Sequence, residues 1–511
     1  MGTSDDENLI EISKTKLHVK LFYRKKFGRK TGMSFCMHYL FAFVSTAVAS
    51  LFPTDYEASI IYKVPFGGLN VPIHVDYRGS VGKQVIKYFD GLTTEIISLD
   101  DNLFYKDIFN MTDRICLDEA PEGDLALISI FPDLSQFNYT GTTVMRGLQC
   151  DHWTKYLDRP GEVEHFYYDS RLGVPVRWVM HARDEVFDSH LDDYVIDYVS
   201  LNPVVSDSWP LTPTCRDSAR KRTIADGVEG SSHHLSKLRN QGNLPSLGYI
   251  ARPERPSIQV FGNGISSLDI FDPSIAPPVS FDWRVSGGSP YPKDQAMCGS
   301  CYAFAVIGAL ESQLLIRRKI SQPLSEQFVL DCGWSESSSS CSGGNQEELG
   351  PVLLDRYKGF VPFEAHYGEY MSTYSYCKNI TGMDGIFFDG WVNLPARSST
   401  ELIKQAIVQN GLLSVSINAI DAILFHETLD GVVRSDKCAH TKAHQLNHAV
   451  NLVGWHENDY WILRNSWSTN WGHDGYFYVE MGDRDCGISI DVSFPIVKSV
   501  ASEMTIPVIL A

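Results

Sequence analysis

The stretch Asp294–Glu311 reads DQAMCGSCYAFAVIGALE. After Gly299, the apolar residues Tyr302, Phe304, Ala305, Ile307, Ala309 and Leu310 suit a buried helix that starts at Ser300 or Cys301. A thiol at a helix N-terminus sits in the positive end of the helix dipole, which lowers its pKa and favours the thiolate. Cys298, three residues earlier, opens two other readings, a redox dithiol or half of a zinc site. A zinc site needs two further ligands at metal spacing, and a redox pair expects a thioredoxin-like βαβ frame. Neither is legible around this stretch.

Further along lie candidates for a base and for a group that orients it. His448 sits in Leu446-Asn447-His448-Ala449-Val450, and Asn465 opens Asn465-Ser466-Trp467, with Trp471-Gly472 and Gly475-Tyr476 close behind. Together with Cys298-Gly299-Ser300-Cys301-Tyr302, this order resembles the papain-like cysteine proteases, which include the cathepsins. The resemblance covers about residues 279–497. It implies an α+β fold of two lobes, a helical one from Cys301 through Tyr376 and an antiparallel β one from Leu412 onward.

The same resemblance implies roles. Cys301 would be the nucleophile, His448 its base and later acid, and Asn465 the group that orients His448, shielded by Trp467. Gln295 would donate its amide to the oxyanion beside the Cys301 backbone N–H. Gly343 and Gly344 would pair with an extended substrate backbone, where a side chain would obstruct it. The main specificity pocket would draw on Gln346, Ser416, Leu446, Ala449 and Asp491, and an acidic floor at Asp491 would let it accept basic as well as apolar side chains. Disulfides are implied between Cys298 and Cys341, Cys332 and Cys377, and Cys438 and Cys486. A disulfide oxidoreductase using Cys298 and Cys301 fails if Cys298 is bonded to Cys341. Tyr302 stands where most of the family has Trp, and Ala296 where Gly is usual.

Upstream, residues 51–205 change texture to short alternating runs. Glu164–Asp169 and Val174–Ala182 flank Ser170-Arg171-Leu172-Gly173 as a β-hairpin, with Ser59–Val64 and Ala126–Phe131 as further strands. This predicts an antiparallel β domain without nucleophile, metal spacing or phosphate loop, bracketed in part by Cys116 and Cys150 as a natural pair. Residues 206–278 are rich in Pro, Ser and Gly and read as a linker or degenerate pro-segment. Within it, Arg220-Lys221-Arg222 is a candidate processing site, and His234–Gly248 a candidate remnant of an inhibitory segment. The family's usual inhibitory helix is not legible there. Residues 279–511 then form the protease domain. With its leading β domain the whole chain resembles a narrower group typified by counting factor-associated protein D, on Phe131-Pro132-Asp133, Cys150-Asp151-His152-Trp153, Phe166–Arg177, Asp184–Tyr198 with its Ser189-His190, and Cys332-Gly333-Trp334.

The first 50 residues carry eight Lys or Arg between Lys14 and Lys30, against four Asp or Glu. An apolar run from Tyr39 to Phe52 follows, with Ala47-Val48-Ala49 as a small-residue exit. That is the pattern of a secretory signal peptide, and the membrane enters only if it stays uncleaved as an anchor. Eleven cysteines and the glycosylation triplets at Asn110, Asn138 and Asn379 agree with that route and with a lysosomal or extracellular destination. Cys215 is left without an obvious partner.

Across 511 residues, 44 basic and 62 acidic side chains give a net charge of −18, which argues against nucleic acid as the main partner. With 43% hydrophobic residues the chain is ordinary for packed globular protein, and wholesale disorder is excluded. No metal or organic cofactor is indicated. The expected partners are polypeptide substrates, and for the β domain a protein partner. The alternative is a binding or signalling protein in which the β domain acts and the protease is a scaffold.

Overall fold

The computed structural model describes residues 51–118, 125–157, 161–187, 189–204, 248–266, 270–272, 274–424 and 431–498, with short stretches at 10–13, 18–21, 215 and 219–221. The apolar run at 39–50, Arg222 and residues 234–247 lie outside them. Among the described residues no helix is long and apolar enough to cross a membrane.

The leading part is one long sheet. Its strands are β1 (Asp55–Val64), β2 (Leu69–Arg78), β3 (Lys83–Tyr88), β4 (Thr93–Ser98), β5 (Leu103–Asn110), β6 (Asp113–Asp118), β7 (Asn138–Met145), β8 (Leu148–Tyr156), β9 (Val163–Asp169), β10 (Val174–Arg183), β11 (Leu191–Pro203) and β12 (Ala219–Lys221). They lie in the order β12-β6-β5-β4-β3-β2-β1-β11-β10-β9-β8-β7. Neighbours are antiparallel except β12 on β6. Period-two burial is plain in β1, where Tyr56, Ala58, Ile60, Tyr62 and Val64 point inward and their neighbours do not. Ile73, Ile97, Phe104, Trp153, Phe166, Trp178 and Ile196 join them in one apolar cluster. Strands from both halves of so long a sheet share one core only if the sheet curls.

Two expectations are corrected here. Residues 126–131 form no strand. The Gln84 side chain donates to the Ile128 carbonyl (2.7 Å) and accepts from its N–H (2.8 Å), so a side chain takes the place of a neighbouring strand. Ile128, Ile130 and Phe131 are buried all the same. Nor does Cys116 pair with Cys150. Cys116 is bonded to Cys215, and Cys150 is a free, buried thiol. Cys116 on β6 and Cys150 on β8 are nine strands apart along the ladder, whereas β12 sets Ala219 opposite Cys116 and so draws Cys215 to it.

The second unit takes in one segment expected to be linker, residues 259–261, ahead of the expected protease domain. Strand β13 (Gln259–Phe261) pairs with β17 (Gly390–Asn393) and β14 (Phe281–Asp282) with β20 (His448–His456). Between them in sequence are the helices α1 (Cys301–Arg318), α2 (Glu326–Cys332), α3 (Gln346–Tyr357) and α4 (Glu364–Tyr367) and the small pair β15 (Phe360–Pro362) and β16 (Gly385–Phe387). Later come α5 (Thr400–Asn410), β18 (Leu413–Ile417), α6 (Asp421–Leu424), β19 (Val432–Val433), β21 (Tyr460–Arg464), β22 (Tyr476–Glu480) and β23 (Val492–Ile496). The sheet order is β13-β17-β23-β18-β20-β21-β22-β19. The fold is α+β.

Helix starts follow local chemistry. Ser325 accepts from the Phe328 N–H and Asn345 from the Glu347 N–H, each supplying a donor-hungry first turn with an oxygen. Cys298–Cys341 and Cys332–Cys377 tie the helical side, and Cys438–Cys486 the β side.

The first sheet packs against the helical side. Thr93 Oγ1 donates to the Tyr374 carbonyl (3.2 Å), the Cys377 N–H donates to the Met111 carbonyl (2.8 Å), and Asn470 Nδ2 donates to Asp192 Oδ1 (2.7 Å). Ala296 and Met297, just before the Cys301 helix, pack into the apolar cluster of the first sheet.

Candidate active site

Cys301 is the first residue of α1, and fourteen of the eighteen residues of that helix are buried. Ser300 precedes it without a side-chain cap bond, so the first turn keeps its backbone donors for other use. His448 opens β20 and is fully buried. The next residue, Ala449, presents its backbone N–H to the Cys301 thiol, so thiol and imidazole share one pocket.

Asn465 sets the imidazole. Its Oδ1 accepts from the Ser466 N–H (2.9 Å), which identifies that atom as the oxygen, and it lies 2.8 Å from His448 Nε2. Nε2 therefore carries the proton, and Nδ1 is the lone-pair nitrogen. Nδ1 is buried and without a hydrogen-bond partner among the described residues, as suits a base facing a thiol. Trp467 stacks on the ring, centroids 4.7 Å apart at 22°, and excludes water from the His448–Asn465 bond.

Gln295 is brought to the same place but is turned inward. Its Nε2 donates to the Cys298 carbonyl (3.0 Å), and its Oε1 accepts from Ser466 Oγ (2.7 Å). An incoming oxyanion would therefore compete with the Cys298 carbonyl for the amide.

The cleft is filled. Residues 248–250 run through it: the Gly344 N–H donates to the Gly248 carbonyl (2.8 Å), and the Ile250 N–H donates to the Gly344 carbonyl (2.8 Å). Gly248 has φ +98°, and a Cβ there would lie 2.1 Å from the Gly299 carbonyl oxygen, so only glycine passes. Tyr249 enters the pocket that Gln346, Ser416 and Asp491 line. Its hydroxyl donates to Asp491 Oδ2 (2.5 Å), which also accepts from Ser416 Oγ (2.9 Å) and Gln346 Nε2 (3.1 Å). Arg255 approaches the other oxygen at 3.7 Å. Asp491 is thus a buried carboxylate, and burial raises its pKa against Arg255 and the Tyr249 and Ser416 hydroxyls. Leu446 and Ala449 are buried nearby, and Gly343 takes φ +108° beside Gly344.

Burial controls the charge state. It pushes the Cys301 thiol up to about 12, against the N–H groups of Ala449, Tyr302 and Cys301. It holds His448 down to about 4, against the Asn465 bond and with help from His190. With residues 248–250 in the cleft, the pair is a neutral thiol and a neutral imidazole. Charge separation requires water or substrate polarity to enter.

Sequence reasoning missed two contributors. Tyr249 lies in a stretch without periodicity, and nothing local marks it as a pocket filler. His190 also stacks on Trp467 (5.6 Å, 13°), although it leads into a strand of the first sheet. Of the glycosylation triplets, Asn138 and Asn379 are exposed and Asn110 is half-buried.

This fold and this grouping of thiol, imidazole and amide agree with a direct comparison. The family profile described as papain family cysteine protease matches residues 277–496, and human cathepsin O is 32% identical over 234 residues, 43% of this chain and 67% of its own length. The chain belongs to the papain family of cysteine proteases. It is also similar to cysteine proteinase 2 of Zea mays, 34% identical over 227 residues, covering 44% of this chain and 61% of that protein. Pro-cathepsin H of Mus musculus is 31% identical over 223 residues, 43% of this chain and 65% of its own. The chain therefore spans 61–67% of the length of these relatives. The family profile does not reach the long leading sheet.

Proposed function

We propose that the chain is the precursor of a cysteine-type endopeptidase that hydrolyses polypeptides, with residues 279–511 as its catalytic domain. Residues 51–205 form its β domain and 206–278 its pro-segment. The observation that carries this is His448 held at 2.8 Å by Asn465 under Trp467, beside a free Cys301 at a helix N-terminus. In the reaction, the Cys301 thiol gives its proton to His448 Nδ1, and the thiolate adds to the scissile carbonyl. The oxyanion is met by the Cys301 N–H and the Gln295 amide. The imidazolium then protonates the leaving amine, and water activated by the same nitrogen cleaves the thioester.

Residues 248–250 are the latch that keeps the precursor silent. Their backbone bonds to Gly344 occupy the edge that a substrate strand would use, and Tyr249 occupies the side-chain pocket. That pocket accepts donors at its floor, since Asp491 draws both the Tyr249 hydroxyl and the Arg255 guanidinium. We assign it to substrates with a basic or a polar-tipped side chain as well as apolar ones. The route is secretory, ending in the lysosome or outside the cell. The β domain offers the surface for a protein partner.

Wild-type and Cys301→Ala protein, made through the secretory pathway and cleaved before Ile275, test this with fluorogenic dipeptides bearing Arg or Leu at the second position. Turnover by the wild type alone supports the peptidase. No turnover in either shifts the function to binding through the β domain. Leu accepted with Arg refused would remove Asp491 from the pocket's selectivity.

A further inference from the structure

One polar cluster lies beside the reacting groups without touching the thiol. His190 and Asp192 come from the start of β11 and its approach, and Asp294 immediately precedes Gln295. One donor atom from each lies within 4.8 Å of the others. His190 Nε2 is 3.2 Å from Asp294 Oδ1 and 3.9 Å from Asp192 Oδ2. The side chains are 6%, 0% and 1% exposed for His190, Asp192 and Asp294.

Neighbouring groups hold each side chain in place. Asp192 Oδ1 accepts from Asn470 Nδ2 (2.7 Å) and from the Asp193 N–H (2.7 Å). Asp294 Oδ1 accepts from the Ala296 N–H (2.7 Å), and His190 Nδ1 lies 3.2 Å from Ser189 Oγ. His190 Nε2, Asp192 Oδ2 and Asp294 Oδ2 are left buried, and none has a hydrogen-bond partner among the described residues. Even a protonated ring would offset only one of two carboxylates facing it in a dry site, which leaves a buried negative charge for a cation to meet.

We propose that His190, Asp192 and Asp294 bind a divalent cation of the zinc class, which fastens the β domain to the protease beside its active site. A tetrahedral ion holding N and O ligands at about 2.0–2.1 Å sets them about 3.3 Å apart. The 3.2 and 3.9 Å separations approach that spacing before any ion enters. Imidazole disfavours magnesium and calcium, which take oxygen ligands. Ser189, Asn470 and the two backbone N–H groups are the outer contacts that orient such ligands. Two carboxylates with a neutral imidazole match the charge of a dication and leave a fourth position for water.

The ligands come from both parts of the chain, so the ion would resist their separation. It would also steady two neighbours of the reaction, Gln295 next to Asp294 and Trp467 against His190. No metal-ligand spacing betrays the site in sequence, because Asp294 lies about a hundred residues beyond its partners.

The test uses the full chain carrying Cys301→Ala, which removes a competing thiol ligand and prevents self-cleavage. The protein is stripped with chelator and titrated with zinc, and bound metal is measured by elemental analysis. One zinc per chain and a thermal midpoint raised by several degrees are expected. Adding Asp192→Asn or His190→Gln should weaken binding by about 100-fold or more. Cobalt in place of zinc gives a visible absorption band of low-coordinate geometry in the parent chain, a readout that needs no second variant. Zinc that fails to bind the parent overturns the proposal, as does zinc held equally well by both double variants. A parent without zinc whose Asp192→Asn form is more stable would show that the two carboxyls share a proton instead. None of these readouts depends on peptidase activity.

Discussion

Replacing Tyr249 by alanine removes the side chain that anchors residues 248–250 in the cleft. The ring is 4% exposed, and its hydroxyl donates to Asp491 and accepts from Asn345 Nδ2 at 3.2 Å. Truncating a buried aromatic side chain costs about 3–5 kcal/mol. At 1.4 kcal/mol for each factor of ten, the open fraction of the cleft rises by about 10² to 4 × 10³. Because Cys301 is fully buried when the cleft is filled, its alkylation by a small thiol reagent requires opening. The rate of labelling in the full, uncleaved chain should therefore rise by that factor. Peptide mass spectrometry separates Cys301 from Cys150, the other free thiol among the described residues, whose own pKa is raised by burial. Gly248→Ala tests the same latch independently, since its Cβ would meet Gly299 backbone atoms that cannot yield. If both variants label at the wild-type rate, residues 248–250 do not guard the thiol.

Acid should loosen the latch. The closed cleft keeps His448 neutral down to about 4, whereas an open imidazole titrates near 6.5, so the open form binds a proton that the closed one refuses. The closed state's advantage is thus complete above about pH 6.5 and falls by up to about 3 kcal/mol as pH drops toward 4. Hydrogen exchange of the Ile250 amide, corrected for its intrinsic rate, should speed up from pH 7 to 5; unchanged protection would contradict the burial argument. Gln295→Ala is expected to lower kcat by about 10²–10³ with KM little changed, and an equal loss in KM would make Gln295 a ground-state binder instead. Cys215→Ser should destabilise the β domain by about 2–5 kcal/mol in urea, given the separation of 99 residues that its bond to Cys116 spans. Cys150→Ser should cost far less, and the reverse order would restore the Cys116–Cys150 pairing.

Much of this molecule is written in short windows. The alternation that buries Tyr56, Ile60 and Tyr62 is visible by eye, and so is the hairpin of 163–183, because a strand's period of two is a local property. The helix from Cys301 is equally legible, since its apolar residues recur with the helical period and its start follows a glycine. Residues 126–131 show where that reasoning fails. They have the β-branched, apolar content of a strand, yet the bonding partner is the Gln84 side chain, which no window around them contains.

Short windows of sequence gave the hairpin at 163–183, the thiol at a helix start, and the order of Cys301, His448 and Asn465 on which the family likeness rests. Only the tertiary structure decided that Cys116 meets Cys215, that Tyr249 fills the Asp491 pocket, and that His190 and Asp192 stand against Asp294. Secondary structure follows from backbone geometry and the spacing of apolar residues over one or two turns. These three contacts join residues about 100 or more positions apart. They depend on how the first sheet curls and where it docks, which leaves no periodic trace along the chain.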